Sequence, residues 1–179
     1  EAGMLNIEQV TFNLADLFDK LVLLFNESSR RKNLRLILSL PPEPPEQLIG
    51  DPMRLHQVLS NLIANAVKFT EQGEITVKAA TAGQSENRLR INFTVSDTGI
   101  GIPEEKIVSL FDAFTQADSS TARKYGGTGL GLAVVQAVVL EHGGGLRVAE
   151  SALGGACFEI QLPRIESRCP EPITTRKQA

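Results

Sequence analysis

DPMRLHQVLSNLIANAVKFT, residues Asp51–Thr70, carries two stripes at helical spacing. Asp51 suits an N-cap and Pro52 the first helical position, so the stretch predicts a helix. Leu55, Val58, Leu59, Leu62, Ile63, Ala66 and Phe69 form a stripe for the core. Arg54, Gln57, Asn61, Asn65 and Lys68 follow one another at three or four residues and share a second face. An ordinary solvated face carries Glu, Lys and Arg. This one carries two asparagines one turn apart, each costing about 0.5 kcal/mol of helix propensity relative to Ala. Carboxamide oxygens beside an ammonium group can hold a metal ion and the phosphates it bridges. Read from the helix alone, a polar face with two poor helix formers is an equal alternative.

Toward the N-terminus, residues 1–12 read as a connector. Asn13 is a candidate N-cap for a helix whose apolar positions are Leu14, Leu17, Phe18, Leu21, Leu24 and Phe25, with Arg30, Arg31 and Lys32 at its dipole-favoured end. Leu34, Leu36, Leu38 and Leu40 alternate as in a strand, PPEPPE breaks structure, and Leu48–Gly50 is a short extended piece. After Thr70, Gly73 turns the chain, and ITVKAATA and LRINFTVSD predict two strands with Gly83–Asn87 as their loop. A short helix follows from Pro103 to Leu110. Phe111–Tyr125 is polar, without periodicity, and reads as a long mobile loop of the kind that serves as a lid. GGTGLGL then opens a helix to about His142, which GGG ends as a glycine C-cap. LRVAES and ACFEIQLP predict a closing hairpin around Gly154-Gly155, and residues 164–179 a flexible tail. This order predicts an α+β fold: a two-layer α/β sandwich with a mixed, mostly antiparallel sheet and three main helices on one face.

Composition bounds the function classes. The 179 residues suffice for one domain with a real core. A net charge of -3 gives no basic field for nucleic acid, and with no Trp and one Tyr there is little to stack bases on. Cys157 and Cys169 match no CxxC pattern, which speaks against a zinc site or a disulfide scaffold. No apolar run reaches membrane-spanning length.

Two glycine-containing stretches carry further chemistry. DTGIGI, Asp97–Ile102, begins at a strand end, where a carboxylate can sit at the bottom of a pocket and glycines let the backbone approach a ligand. Such a carboxylate can accept a hydrogen bond from an exocyclic amine such as that of adenine; alone, the motif serves equally as an Asx turn. GGTGLGL, Gly126–Leu132, lies at a helix N-terminus, where backbone N–H groups and the dipole favour phosphate. It lacks the spacing of a P-loop or of a dinucleotide site, and a Thr128-capped loop fits it as well. His56, His142 and Cys157 read as structural, and Tyr125 as a ligand contact or an exposed loop residue.

The order of these stretches is more specific than any one of them. An Asn-bearing helix, DTGIGI, FDAF and GGTGLGL resemble the N, G1, F and G2 boxes of sensor histidine kinases, over about residues 5–163. The resemblance implies the Bergerat-type ATP-binding fold of the superfamily shared with gyrase and MutL, with ATP and Mg²⁺ as ligands. It implies that Asn65 coordinates Mg²⁺, that Asn61 supports the metal and phosphates, that Lys68 contacts phosphate and that Phe69 borders the nucleotide. Asp97 would bind the adenine amine, with Gly99, Gly101 and Ile102 shaping that pocket. Gly127, Thr128, Gly129, Leu130 and Gly131 would flank the phosphates, and Phe111 and Phe114 would anchor the lid. Gyrase-like ATPases carry a water-activating Glu where this chain has Asn61. An amide cannot take a proton in that way, which fits transfer to a protein better than fast hydrolysis.

The phosphoacceptor His and its H-box have no counterpart here. EAGML and the connector resemble the end of a missing dimerisation helix, so the expected chain is the catalytic half of a kinase. Its expected partners are the histidine-bearing dimerisation domain and a response regulator or receiver domain, with no nucleic acid. The resemblance also implies a cytoplasmic catalytic portion within a membrane-associated homodimer. A gyrase- or MutL-like ATPase and a non-catalytic docking module are the alternatives.

Overall fold

The computed structural model describes residues 8–85, 88–107 and 130–167. In chain order these form β1 (Val10–Phe12), α1 (Leu14–Arg31), β2 (Leu34–Ser39), β3 (Leu48–Gly50), α2 (Pro52–Phe69), β4 (Gly73–Ser85), β5 (Arg88–Asp97) and α3 (Glu104–Ile107). The next described elements are α4 (Leu130–Glu141), β6 (Gly145–Glu150) and β7 (Ala156–Ser167). The sheet runs β1-β3-β7-β5-β4-β2, with β6 also paired to β7. Every pairing is antiparallel except β2 with β4. The sheet is therefore mixed and mostly antiparallel, as the segregation of helices and strands predicts.

The helices begin where their caps allow. Asn13 Oδ1 accepts the Ala15 N–H at 2.7 Å to start α1, and Asp51 Oδ1 accepts the Arg54 N–H at 2.9 Å to start α2. α4 ends in a Schellman arrangement: Gly144 N–H donates to Val139 O (2.9 Å), Gly143 N–H donates to Leu140 O (2.8 Å), and Gly143 takes φ +64°.

One core joins the layers. Leu14, Leu17, Phe18, Leu21 and Phe25 of α1, the apolar stripe of α2, and Val135, Val138 and Val139 of α4 are buried with the inner residues of β4, β5 and β7. Phe93 is fully buried in the middle of β5, its ring centroid 6.5 Å from that of Phe18. Two stripe positions differ from expectation. Leu24 is 54% exposed, because positions 14, 17, 18, 21 and 25 already complete the inner face of α1. Phe69 is half-buried and Val67 takes its place in the core. Phe69 stands instead where α2 meets the loop after β5, its carbonyl accepting the Ile100 N–H at 3.4 Å.

Three boundaries also move. Val10–Phe12, expected as connector, is a strand on β3; three residues are too few to display alternation, and pairing satisfies their backbone. β7 runs to Ser167, so residues 164–167 of the expected tail belong to the sheet. Pro163 hides this. It falls where the β5–β7 register shifts between Leu89 and Ile91, and a bulge tolerates a residue without an N–H. β4 and β5 pair out to Ser85 and Arg88 through an irregularity between Thr81 and Gln84, inside the stretch expected to be loop.

Candidate functional site

Alternation along β5 points Ile91, Phe93, Val95 and Asp97 toward the helices, at 0%, 0%, 2% and 6% exposure. An ionisable side chain thus completes an apolar stripe. Asp97 Oδ1 accepts the Gly99 N–H at 2.8 Å and the Ala156 N–H at 3.1 Å. Among the described residues Oδ2 accepts no hydrogen bond, so one carboxylate oxygen is available to a ligand donor. Burial pushes the Asp97 pKa up, and the two backbone donors only partly oppose that shift.

Glycines make room for this carboxylate. A Cβ on Gly155 would lie 2.2 Å from Asp97 Oδ1 and 2.6 Å from the Gly99 nitrogen, so no side chain fits there. A Cβ on Gly99 would lie 2.5 Å from the Phe69 carbonyl oxygen. The loop after Asp97 is fastened by Thr98. Its hydroxyl accepts the Glu74 N–H and donates to Gln72 O, each at 3.0 Å. Gly155 is delivered by the β6–β7 turn. There Ser151 N–H donates to Gly155 O (2.7 Å), Gly154 N–H donates to Ser151 O (2.9 Å), and the Ser151 hydroxyl accepts the Leu153 N–H (3.0 Å).

The polar face of α2 borders the same region. Asn61 Nδ2 donates to Gly131 O at 3.3 Å, joining α2 to the first turn of α4. Asn65 is half-buried one turn further on. The Lys68 ammonium lies 5.0 Å from the Phe69 ring centroid, and Arg54 Nη1 donates to Gln57 Oε1 at 3.0 Å. Ile102 is half-buried against the core. Of the residues expected at the site, the structure brings Asp97, Gly99 and the Phe69 backbone together, and Asn61 with Gly131. Leu130 opens α4. Phe111, Phe114, Gly127, Thr128 and Gly129 lie outside the described residues.

The donor set suits a hard cation shared with phosphates. Among the described residues no three His, Cys, Asp or Glu side chains cluster as metal ligands. Asn65 offers a neutral oxygen, and Mg²⁺ commonly takes only one or two protein ligands beside water and phosphate. The histidines play other parts. Burial, then the Lys20 charge, lowers the His56 pKa, and its Nδ1 lies 3.3 Å from the Ser60 hydroxyl. His142 Nδ1 donates to Val138 O at 2.7 Å. The Cys157 sulfur accepts the Ser96 hydroxyl proton at 3.3 Å.

Sequence reasoning missed Gly155 and Ser151, which read only as hairpin residues. The one signal was the glycine pair Gly154-Gly155, and its second member has a purpose only once β5 and β7 are in register.

The model of the family described as histidine kinase-, DNA gyrase B-, and HSP90-like ATPase matches residues 50–166. The signal transduction histidine-protein kinase BarA of Escherichia coli is 42% identical over 162 residues, covering 90% of this chain and 18% of BarA. The sensor histidine kinase GacS of Pseudomonas protegens is 37% identical over 162 residues, again covering 90% and 18%. The chain thus spans under a fifth of these relatives. Full-length ShkA in complex with AMPPNP superposes with a TM-score of 0.76 at 27% identity, covering 94% of this chain and 34% of ShkA. The nucleotide-free catalytic domain of the histidine kinase ThkA gives 0.69 at 28% identity, covering 88% and 96%.

Proposed function

Because the chain belongs to the family of histidine kinase-, DNA gyrase B-, and HSP90-like ATPases, we propose that it is the ATP-binding catalytic domain of a sensor histidine kinase of the hybrid kind. It holds Mg-ATP and delivers the γ-phosphoryl group to a histidine on a dimerisation domain, from which a receiver domain or response regulator takes it. The observation that carries this reading is the buried Asp97 carboxylate, with one oxygen spent on the Gly99 and Ala156 N–H groups, the other accepting from no described residue, and Gly99 and Gly155 packed around it where no side chain fits.

The roles proposed are those the resemblance implies. Asp97 Oδ2 accepts the adenine amine, while Gly99, Gly101 and Gly155 present no side chain to crowd the ring. Phe69 borders it. Lys68 offsets phosphate charge, and the stretch carrying Gly127, Gly129 and Gly131 would flank the phosphates. Asn65 would hold Mg²⁺ through its side-chain oxygen, and the ion would supply charge neutralisation for the phosphates. The acceptor imidazole nitrogen forms a bond to the γ-phosphorus as the bond to the bridging oxygen breaks, and ADP leaves. The protein contributes positioning and charge, not a general base.

Asn65→Ala tests the reading, because metal and adenine contacts sit on different elements. The variant is expected to lose most of the Mg²⁺ enhancement of ATP-analogue binding and most phosphotransfer to an added histidine-bearing domain. Metal-free binding should persist, and so should the fold, since Ala has the better helix propensity by about 0.5 kcal/mol. Near-normal phosphotransfer would overturn the assignment.

A further inference from the structure

The last turn of α2 carries Lys68 and Phe69, and the carbonyls of Val67, Lys68 and Phe69 have no intrahelical partners. Each is nonetheless taken. Lys32, the C-cap of α1, sends its ammonium across to Val67 O (2.7 Å), Lys68 O (3.1 Å) and Thr70 O (3.4 Å). The carbonyl between them, Phe69 O, accepts the Ile100 N–H of the loop after Asp97, and the same oxygen leaves no room for a side chain on Gly99. A cation at a helix C-terminus is also favoured by the dipole. Asn33, beyond it, adopts φ +54° and turns the chain into β2. One ammonium therefore holds the backbone on both sides of the carbonyl that docks the Asp97–Ile102 loop.

We infer that Lys32 is a positioning residue of the nucleotide site, setting the last turn of α2 so that Lys68, Phe69 and the Asp97–Ile102 loop keep one arrangement. It touches no substrate; it acts through the Val67, Lys68 and Thr70 carbonyls. The inference deepens the ATP-binding reading and rests on it for its consequence, but the geometry it describes exists without nucleotide.

The test separates positioning from stability. In the whole chain, Lys32→Met removes the ammonium and keeps most of the stem. It is compared with Lys32→Arg, which restores charge and donors, and with Leu17→Ala, which empties a core position at the far end of α1. Affinity for a fluorescent ATP analogue, measured well below each unfolding temperature, should fall about tenfold in Lys32→Met, recover in Lys32→Arg and stay within about twofold of the parent in Leu17→Ala. Hydrogen exchange of the Ile100 amide in the nucleotide-free chain should accelerate in Lys32→Met alone. If Lys32→Met does not fold, Lys32→Gln carries the same readouts. Unchanged Ile100 exchange in the folded variant overturns the inference, as does unchanged affinity where the parent binds. A parent chain that binds no ATP defeats the functional reading instead, and the exchange comparison still decides the role of Lys32.

Discussion

The buried Asp97 carboxylate, proposed to bind the adenine amine, comes at a cost to stability. Its carboxyl ends a stripe of core residues, and burial raises its pKa above 3.8 despite two backbone donors. For such a group the favourable contribution to folding is complete below the unfolded pKa and is lost as pH rises through the folded value. At neutral pH the ionised side chain therefore opposes folding. Asp97→Asn removes the charge and keeps an oxygen that can accept from Gly99 and Ala156. The variant should unfold at a higher temperature than the parent at neutral pH, and the gain should shrink as pH falls through the raised folded-state value and be gone below 3.8. ATP binding should move the other way. Loss of a charge-assisted hydrogen bond costs about 1.5–3 kcal/mol, roughly a ten- to hundredfold weaker affinity. Melting curves across pH and analogue titrations on one preparation check both signs. A variant that is less stable at neutral pH, or that binds ATP as tightly, would show that Asp97 is a structural turn residue.

Among the elements, α2 is fastened at both ends by other parts of the chain. At its C-terminus the partner is Lys32; at its N-terminus Asp51, 3% exposed, caps Arg54 with Oδ1 and accepts the Glu8 N–H with Oδ2 at 3.1 Å. Two substitutions separate these tasks. Asp51→Asn keeps one acceptor for the cap and gives up the second, whereas Asp51→Ala gives up both. Alanine should destabilise by about 0.5–2 kcal/mol from the cap alone, and asparagine by less. Both should speed hydrogen exchange at Glu8 and along β1, but only alanine should do so at Arg54. Equal exchange at Glu8 in parent and Asp51→Asn would mean the tie is inconsequential. Legibility also differs between elements for physical reasons. The α2 cap is written in the side chain of one residue, so Asp51 and Pro52 announce it. β1 and the end of β7 are held by long-range pairing, and neither Val10–Phe12 nor a stretch containing Pro163 carries a local pattern that reveals it. The β4–β5 extension is hidden likewise, because paired edges tolerate the polar residues of loops.

Over the whole molecule, the site is assembled from the end of β5, the β6–β7 turn, the polar face of α2 and the first turn of α4. Asp97 and the asparagines stand out in the sequence because their chemistry is out of place locally: a carboxylate closing an apolar strand, amides on a helix face. Gly155 does not, because register alone puts it against Asp97: Ser96 pairs with Cys157, and the turn follows from there. The same assembly bears on turnover. The resemblance implies that Asn61 stands where a gyrase-like ATPase would place a water-activating carboxylate; its amide donates to Gly131 O at 3.3 Å. A carboxamide neither takes a proton from water nor, while so engaged, turns freely toward one. The chain spans 18% of BarA, and the proposed function takes the acceptor histidine from a separate segment. Alone, the chain should bind Mg-ATP and release phosphate far more slowly than the roughly 1–100 turnovers per second of protein kinases. Added histidine-bearing dimerisation domain should then consume ATP in proportion to its histidines and retain the label from γ-³²P-ATP. Asn61→Ala loses a hydrogen bond worth about 0.5–1.5 kcal/mol and regains about 0.5 kcal/mol in helix propensity. Its stability should therefore change little while transfer falls. Phosphate release, label retained on the acceptor and denaturation of the variant are the three measurements. Rapid multiple turnover by the isolated chain would make it a hydrolase of the gyrase type, with Asn61 no obstacle to water attack.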